Sequence, residues 1–461
     1  MPMIPGKRLY DALPVWAQSA AVRLVGSRRF RHKYGRTFHE ALGRLEGNER
    51  KSRDQLLAEQ RVALLELARY AKRHVPYYRR LGLPDDPGAW PLLDKHAIGA
   101  QPEQFLSDAY RPSQLLTLKT SGTTGTPLTV RVSPEAHQVE MAFRWRHKAW
   151  GGAPFVSRGA YVSGHAVVPA AQMTPPFWRY DPVEQRLLCS SYHLTGRNLP
   201  LYLDALADYA PTFLHGYPSS LAILAGAMLR EGRKDVRPTA VFTASETLLD
   251  SQRRDIEQAF ETKVYNWYGN TELTCNIVEC AAGRLHYRTD YGLLEILPDG
   301  AMIATGLHNR AMPLIRYRIG DVAWFQTGTC PCGCAFPLVE RVEGRIEDYV
   351  RTPDGRSVGR LDHLFKDAVH VREAQLEQQR VEELIVRIVK ADGFAEHEEA
   401  IIRTEARQRL GDAIQLRFEY VSAIPRTANG KFRFVVSSLS HASVQAGATR
   451  EHGTPSEDRS C

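Results

Sequence analysis

The fold is decided by one stretch, "PTFLHGYPSSLAILAGAMLREGRKDVRPTAVFTASETLLDSQRRDIEQAFETKVYNWYGNTE", residues 211–272. Three short apolar runs in it, "PTFLHGYPSS", "TAVFTASET" and "KVYNWYGNTE", stop at Gly, Ser or Pro. Short apolar runs closed by such residues read as strands that end in turns. Between them lie 219–231 and 249–260, which carry a helical pattern. Strands that alternate with helices define an α/β core. The alternation extends upstream through "LLTLKTSGTTG", "GAYVSGHAVV" and a helical 200–209.

Outward from this core the pattern changes twice. Residues 1–80 are helical, with Leu56, Leu57, Val62, Leu64, Leu65 and Leu67 recurring among Lys and Arg. From 284 to 326, "LHYRTDYGLLEIL", "AMIATGL" and "PLIRYRIGDVAWF" predict a β meander with a turn at Pro298-Asp299-Gly300. After "RVEGRIEDYV" come "TPDGRSVG", a strand-like "ELIVRIV", a helical 396–410 and "IQLRFEYV", a small α+β unit. The expected organisation is a large α/β domain over 1–346 with a β subdomain, its first 80 residues a helical extension. A small α+β domain follows over 347–437, and an aperiodic Ser/Ala/Thr/Gly tail, expected to be disordered, over 438–461.

Composition excludes several classes. Of 461 residues 43% are hydrophobic and 24% charged, a globular mix with a sizeable core. No window approaches the roughly 18 apolar residues of a membrane span. Asp11 and Arg23 interrupt the only N-terminal apolar segment, so no secretory signal is expected. The expectation is a soluble, cytoplasmic protein. The net charge of +8 is concentrated in residues 1–53, where 12 Lys and Arg stand against 4 Asp and Glu. With "VWAQSAAVRLVG" in the same region, weak peripheral contact with anionic membranes is an expectation. Nucleic acid is not expected as a partner, because the Cys/His cluster lies far from these basic residues and lacks finger spacing.

Two constellations carry chemistry. "TSGTTGTP", Thr120 to Pro127, packs five hydroxyls around two glycines, so that backbone and side chains can donate to phosphate oxygens. No Gly-Lys-Ser/Thr closes it, so it is not a Walker loop. The second is "CPCGC" at 330–334 with Cys280 and His286 in "ECAAGRLH". Thiolate and imidazole are the donors of a tetrahedral structural zinc, here Cys280, His286, Cys330 and Cys332, with Cys334 and Cys275 as rival ligands. Seven cysteines are too few to staple a chain of this length.

"TSGTTGTP" resembles the phosphate loop of the adenylate-forming superfamily. "YGNTE" (268–272), "RYRIGD" (316–321), "GRIED" (344–348) and "PRTANGK" (425–431) continue the resemblance in order. "HKYGRTFHEAL" and "HVPYYRRLG" are similar to the phenylacetate-CoA ligase branch and its CapK-type members. The resemblance covers about residues 5–435. It implies an AMP-forming ligase with ATP, Mg²⁺ and coenzyme A, which activates a carboxylic acid as its adenylate and passes the acyl group to coenzyme A. The CapK-type alternative passes it to an amine.

Residue by residue, the resemblance implies that Thr120, Ser121, Gly122, Thr123, Thr124 and Gly125 hold the β and γ phosphates. Thr271 serves the α-phosphate and Glu272 the Mg²⁺. Tyr268 and Gly269 lie against adenine, flanked by Ser245 and Glu246; Asp321 and Arg345 serve the ribose. Lys431 becomes the mobile catalytic lysine, and Glu347 or Asp348 the hinge on which the small domain turns. Tyr192, His193, His215 and Tyr217 stand where the family builds substrate and adenine walls. Neither the acid nor the oligomeric state follows from the sequence.

Overall fold

The computed structural model describes residues 7–119, 128–164, 167–169, 172–194, 196–345, 350–353, 357–358, 361–365, 368, 370–426 and 432–439. Thr120–Pro127, Glu347, Asp348, Lys431 and the tail from 440 onward lie outside the described residues, as does the side chain of Arg345. The chain divides into two compact units, one reaching Glu343 and the other beginning at Gly344.

The first unit opens with helices α1 (Lys7–Asp11), α2 (Val15–Lys33), α3 (Arg36–Asn48), α4 (Arg53–His74) and α5 (Pro76–Arg80). Helix α4 starts where Ser52 and Gln55 cap each other reciprocally, satisfying two of the four N–H groups a helix start leaves unpaired. After α6 (Lys95–Ala100), β1 (Leu116–Lys119) and β2 (Thr129–Val132) form an antiparallel pair on either side of the hydroxyl-rich stretch. Helix α7 (Pro134–Trp150), which the sequence reading does not foresee, begins at Ser133, whose hydroxyl accepts from the Ala136 N–H, with Pro134 at the first helical position.

The main sheet has twelve strands. They are β3 (Gly159–Ser163), β4 (Trp178–Asp181), β5 (Arg186–Ser190), β6 (Phe213–Gly216), β7 (Ala240–Ala244), β8 (Val264–Gly269), β9 (Asn276–Glu279), β10 (Leu285–Tyr287), β11 (Gly292–Ile296), β12 (Ala301–Gly306), β13 (Tyr317–Gln326) and β14 (Leu338–Arg345). Strands β8, β7, β6, β3 and β5 lie side by side and parallel. The crossovers between them are α8 (Leu199–Tyr209), α9 (Pro218–Glu231) and α10 (Asp250–Phe260), close to the helical stretches read from sequence. Both faces are covered, as buried parallel strands require. Val162, Leu214 and Val241 pack with Leu203, Leu221, Leu224 and Phe260 on one face. On the other, Phe213, Phe242 and Tyr265 pack with Phe38, Phe143 and Trp145.

The predicted meander holds for β11, β12 and β13 but not for β10, which pairs with β9 and β14 instead. The reason is the turn after β10: Tyr291 N–H bonds the Arg288 carbonyl at 3.0 Å and sends the chain to the far edge of the sheet. Two glycines then matter. A Cβ on Gly292 would lie 2.5 Å from the Thr274 carbonyl, and one on Gly306 would run into Leu273 backbone. Their bareness lets the loop after β8 press onto β11 and β12.

The second unit contains β15 (Val350–Arg351), β16 (Ser357–Val358), β17 (Val371–Arg380), β18 (Glu383–Lys390), α11 (Glu396–Leu410), β19 (Gln415–Tyr420) and β20 (Val435–Ser437). Strands in the order β19-β18-β17-β20 pack Leu376, Leu384, Val386 and Ile388 against Ile402, Ala406 and Leu410 of α11. That is the small α+β unit expected from the alternation of strand and helix. No described helix is long and apolar enough to cross a membrane.

Candidate active site and metal centre

In an open α/β sheet, ligands bind beyond the carboxyl ends of parallel strands, because loops there follow every strand in one direction. The candidates fall there in turn. Tyr192 and His193 follow β5, Tyr217 follows β6, Ser245 and Glu246 follow β7, and Asn270, Thr271 and Glu272 follow β8. The sheet thus gathers at one edge residues separated by up to 80 positions.

Tyr268, the penultimate residue of β8, donates to Asp321 Oδ2 at 2.6 Å. Burial, and then the Asp321 charge, push its phenol well above the ordinary value, so it remains the donor. Glu272 accepts from the Tyr317 hydroxyl at 2.9 Å, which orients the carboxylate. Asn270 shapes the loop between them: its carbonyl oxygen accepts from the N–H groups of Thr274 (3.0 Å) and Cys275 (3.3 Å). Strain marks the same places. Ser245, Leu273 and Arg316 have φ of 74°, 57° and 53°, left-handed values unusual for residues with side chains. Arg316 is held there by Glu295, 2.8 Å away, and by the Gly88 and Trp90 carbonyls.

Glu246 has a structural task too, since its Oε2 accepts from the Ser219 N–H at the start of α9. Tyr217, beside it, has a phenol pushed up to about 12, chiefly by burial. Tyr192 is exposed, whereas His193 is turned inward, its ring stacked on Phe177 and its Nδ1 2.8 Å from Ser190 Oγ. His215 lies on the sheet face that meets α7, with its ring 5.2 Å from Tyr161. These four candidates therefore do not share one surface. Thr120–Gly125 and Lys431 fall outside the described residues.

Tyr317 and Asn270 were not singled out in the sequence, although both stand inside motifs that were. Glu140, Arg144 and Lys148, four apart, put three charges on one face of a helix whose other positions are largely apolar.

The second centre forms where two loops flank β10. Its Leu285 pairs with Glu279 of β9, and its His286 with Leu338 of β14. The β9–β10 turn brings Cys280, and the loop before β14 brings Cys330 and Cys332. Ligand atoms of Cys280, His286, Cys330 and Cys332 all lie within 4.8 Å of one another. Cys280 and Cys330 Sγ are 3.6 Å apart, and Cys332 Sγ is 3.4 Å from His286 Nε2. A tetrahedral ion with bonds of about 2.3 Å to sulfur and 2.0–2.1 Å to nitrogen has edges of about 3.8 and 3.5 Å, so these side chains could hold zinc. His286 Nδ1 lies 3.0 Å from the Phe336 carbonyl. That oxygen only accepts, so Nδ1 carries the proton and the Nε2 lone pair faces the thiols. The rivals stand apart: Cys275 is packed among Ile277, Tyr287 and Leu294, and Cys334 Sγ accepts from Arg288 at 3.8 Å.

The CapK C-terminal domain family matches residues 350–438. Over 465 residues the chain is 25% identical to Protein CapK of Staphylococcus aureus, which covers 94% of this chain and 99% of the relative. It is 26% identical over 338 residues to a phenylacetate-coenzyme A ligase of Thermus thermophilus, covering 65% of this chain and 72% of that one. A crystal structure of 2-hydroxyisobutyryl-CoA ligase in the postadenylation state shares the fold. Its TM-score is 0.62 at 17% identity, over 83% of this chain and 89% of the other. These likenesses support an adenylate-forming ligase of the phenylacetate-CoA ligase and CapK branch.

Proposed function

We propose that this protein activates a carboxylic acid with ATP and transfers the acyl group to coenzyme A. In the first step a carboxylate oxygen attacks the α-phosphorus of ATP, an acyl–phosphate bond forms, and pyrophosphate leaves. In the second, the coenzyme A sulfur attacks the acyl carbon, AMP departs, and the thiol proton goes to solvent. What carries the reading is the joining of two separated motifs at the strand ends, Tyr268 to Asp321 and Glu272 to Tyr317. Asp321 would accept the ribose hydroxyls while Tyr268 fixes its second oxygen. Glu272 would hold Mg²⁺, a hard ion that carboxylate and phosphate oxygens suit and that draws charge from the departing pyrophosphate. Thr271, Ser245, Glu246 and Gly269 would serve the nucleotide; the roles of Thr120–Gly125 at its outer phosphates, Arg345 at the ribose and Lys431 at the α-phosphate rest on the sequence resemblance alone.

The decisive experiment is ATP–pyrophosphate exchange across aryl, fatty, sugar and amino acids, with mass spectrometry of products formed with and without coenzyme A. Exchange with at least one acid and a coenzyme A thioester product are expected; an absence of exchange with all of them overturns the reading. A second reading keeps the adenylation and makes the acceptor an amine. It is favoured by the match to CapK, which runs over both units. An amide product when coenzyme A is withheld decides for it.

The Cys280, His286, Cys330 and Cys332 cluster is proposed to hold a structural zinc, since four protein donors leave no open coordination position. Reduced thiols of this kind fit a cytoplasmic protein. Peripheral contact with anionic membranes is proposed for α2, where Trp16 is 76% exposed and Leu24 also faces solvent near Arg23, Arg28 and Arg31.

A further inference from the structure

Strand β17 packs Leu376 against α11. Side chains alternate along a strand, so Glu373 and Gln375 share its opposite face. Each of them ties down one flank of the segment that ends in Lys431. Before that segment, Arg426 Nη2 donates to Glu373 Oε1 at 2.7 Å. After it, Gln375 Nε2 donates to the Arg433 carbonyl at 2.9 Å, and the Leu376 N–H donates to the Phe434 carbonyl at 2.8 Å. The two flanks also meet each other, since the Arg426 guanidinium carbon lies 4.7 Å from the centre of the Phe432 ring. Residues 427–431 thus run between two ends that are held on one strand.

An ion pair open to water holds little, because solvent screens it. This one is largely enclosed: the Arg426 and Glu373 side chains keep 23% and 18% of their exposure. Burial pushes the Glu373 carboxyl above its ordinary value, and the charges of Arg426 and Arg372 pull it back. A guanidinium is planar, so its edge can serve Glu373 while its face covers Phe432, and one orientation satisfies both. The strand beneath is braced as well. Arg387 of β18 donates to Gln375 Oε1 at 3.4 Å and to Glu419 of β19 at 2.9 Å. Closing the ends of a short segment removes conformations from it, so any side chain it carries sweeps a smaller volume.

We propose that Glu373 is a positioning residue for adenylation. By holding Arg426 against Phe432 it fixes both ends of the segment that carries Lys431, and so narrows the positions open to the lysine's ammonium at the α-phosphate. This rests on the adenylation reading and on the role read for Lys431, and deepens both. A lysine stem is flexible, so where its ammonium goes depends on where its backbone is held. A misplacement of about 1 Å at a reacting centre can cost about 10²-fold in rate. Nucleotide affinity draws on other groups, Tyr268 and Asp321 among them, and is not expected to follow.

The test is pyrophosphate exchange by the full chain, with whichever acid of the aryl, fatty, sugar and amino acid panel exchanges fastest. Glu373→Leu, which removes the acceptor at similar volume, should lower kcat about 10-fold and leave KM for ATP within about twofold. Glu373→Gln keeps an acceptor oxygen and should recover most of the rate. In a Lys431→Ala background Glu373→Leu should cost nothing further, because both changes act through one ammonium. A loss of folded fraction would instead lower the rate in both backgrounds. A full rate in Glu373→Leu, or a further loss of about 10-fold in the double variant, overturns the assignment. Should Lys431→Ala itself exchange at the full rate, the lysine has no role and the proposal falls, while the adenylation reading stands. Should no acid exchange, the adenylation reading fails, and tryptic digestion of the native chain decides the clamp. Faster cleavage after Lys431 in Glu373→Leu than in Glu373→Gln upholds it, and equal rates refute it.

Discussion

At the scale of single residues the site divides into groups that hold and groups that act. Lys431 is expected to act. A compact ammonium on a flexible stem neutralises charge that builds at the α-phosphate, whereas nucleotide binding draws on the loop and Asp321. Lys431→Ala should therefore reduce adenylation by roughly 10²–10³-fold with little change in ATP affinity, as measured by pyrophosphate exchange beside nucleotide titration. Tyr268 belongs to the holding group. Removing its hydroxyl leaves Asp321 Oδ2 without its 2.6 Å donor, so Tyr268→Phe should raise KM for ATP by about 5- to 10-fold. Steady-state kinetics check this, and a fall in kcat alone would contradict it.

Among the elements, the hairpin of β9 and β10 and the loop before β14 depend on one another through the thiol and imidazole cluster. A closed metal site contributes folding free energy and no chemistry, because the donors meet only in the folded chain. About one zinc per chain is expected in freshly purified protein. Cys332→Ser should lose the metal and lower the thermal midpoint by several degrees, while the folded fraction keeps most of its adenylation rate. Elemental analysis and calorimetry measure both quantities. Full thermal stability in the variant would remove the metal from the argument.

For the whole molecule, burial of neutral imidazoles sets the acid limit of stability. Burial pulls His137 to about 4, His147 to about 3 and His308 to about 4. Their folded values thus lie below the ordinary 6.5, and the unfolded chain binds protons that the folded chain refuses. Stability should be full above about pH 6.5 and fall as pH drops toward 4, with up to about three protons taken up on unfolding. Thermal midpoints between pH 8 and 4.5 test this, and a flat profile would contradict it. The second molecular-scale prediction concerns α2. Co-sedimentation with anionic vesicles should weaken steeply as salt is raised, since the Debye length shrinks from about 10 to 3 Å between 0.1 and 1 M. Equal recovery with neutral vesicles would leave α2 a purely structural role.

The sequence by itself determined the class of fold, the order of the motifs and most crossover helices. Those depend on local periodicity and on runs of adjacent residues, which a linear chain displays directly. Helical stretches read at 219–231 and 249–260 became α9 and α10 within a residue or two of their bounds. Tertiary structure decided between the four ligands named from sequence and their rivals, because the β9–β10–β14 register brings Cys280, His286, Cys330 and Cys332 together and leaves Cys275 in a packed core. It also turned His193 inward, moved β10 away from the meander and tied Glu272 to Tyr317. Each of these outcomes depends on two segments remote in sequence arriving at one place. Periodicity tells which face of an element is buried, but sheet register and loop closure choose what that face touches.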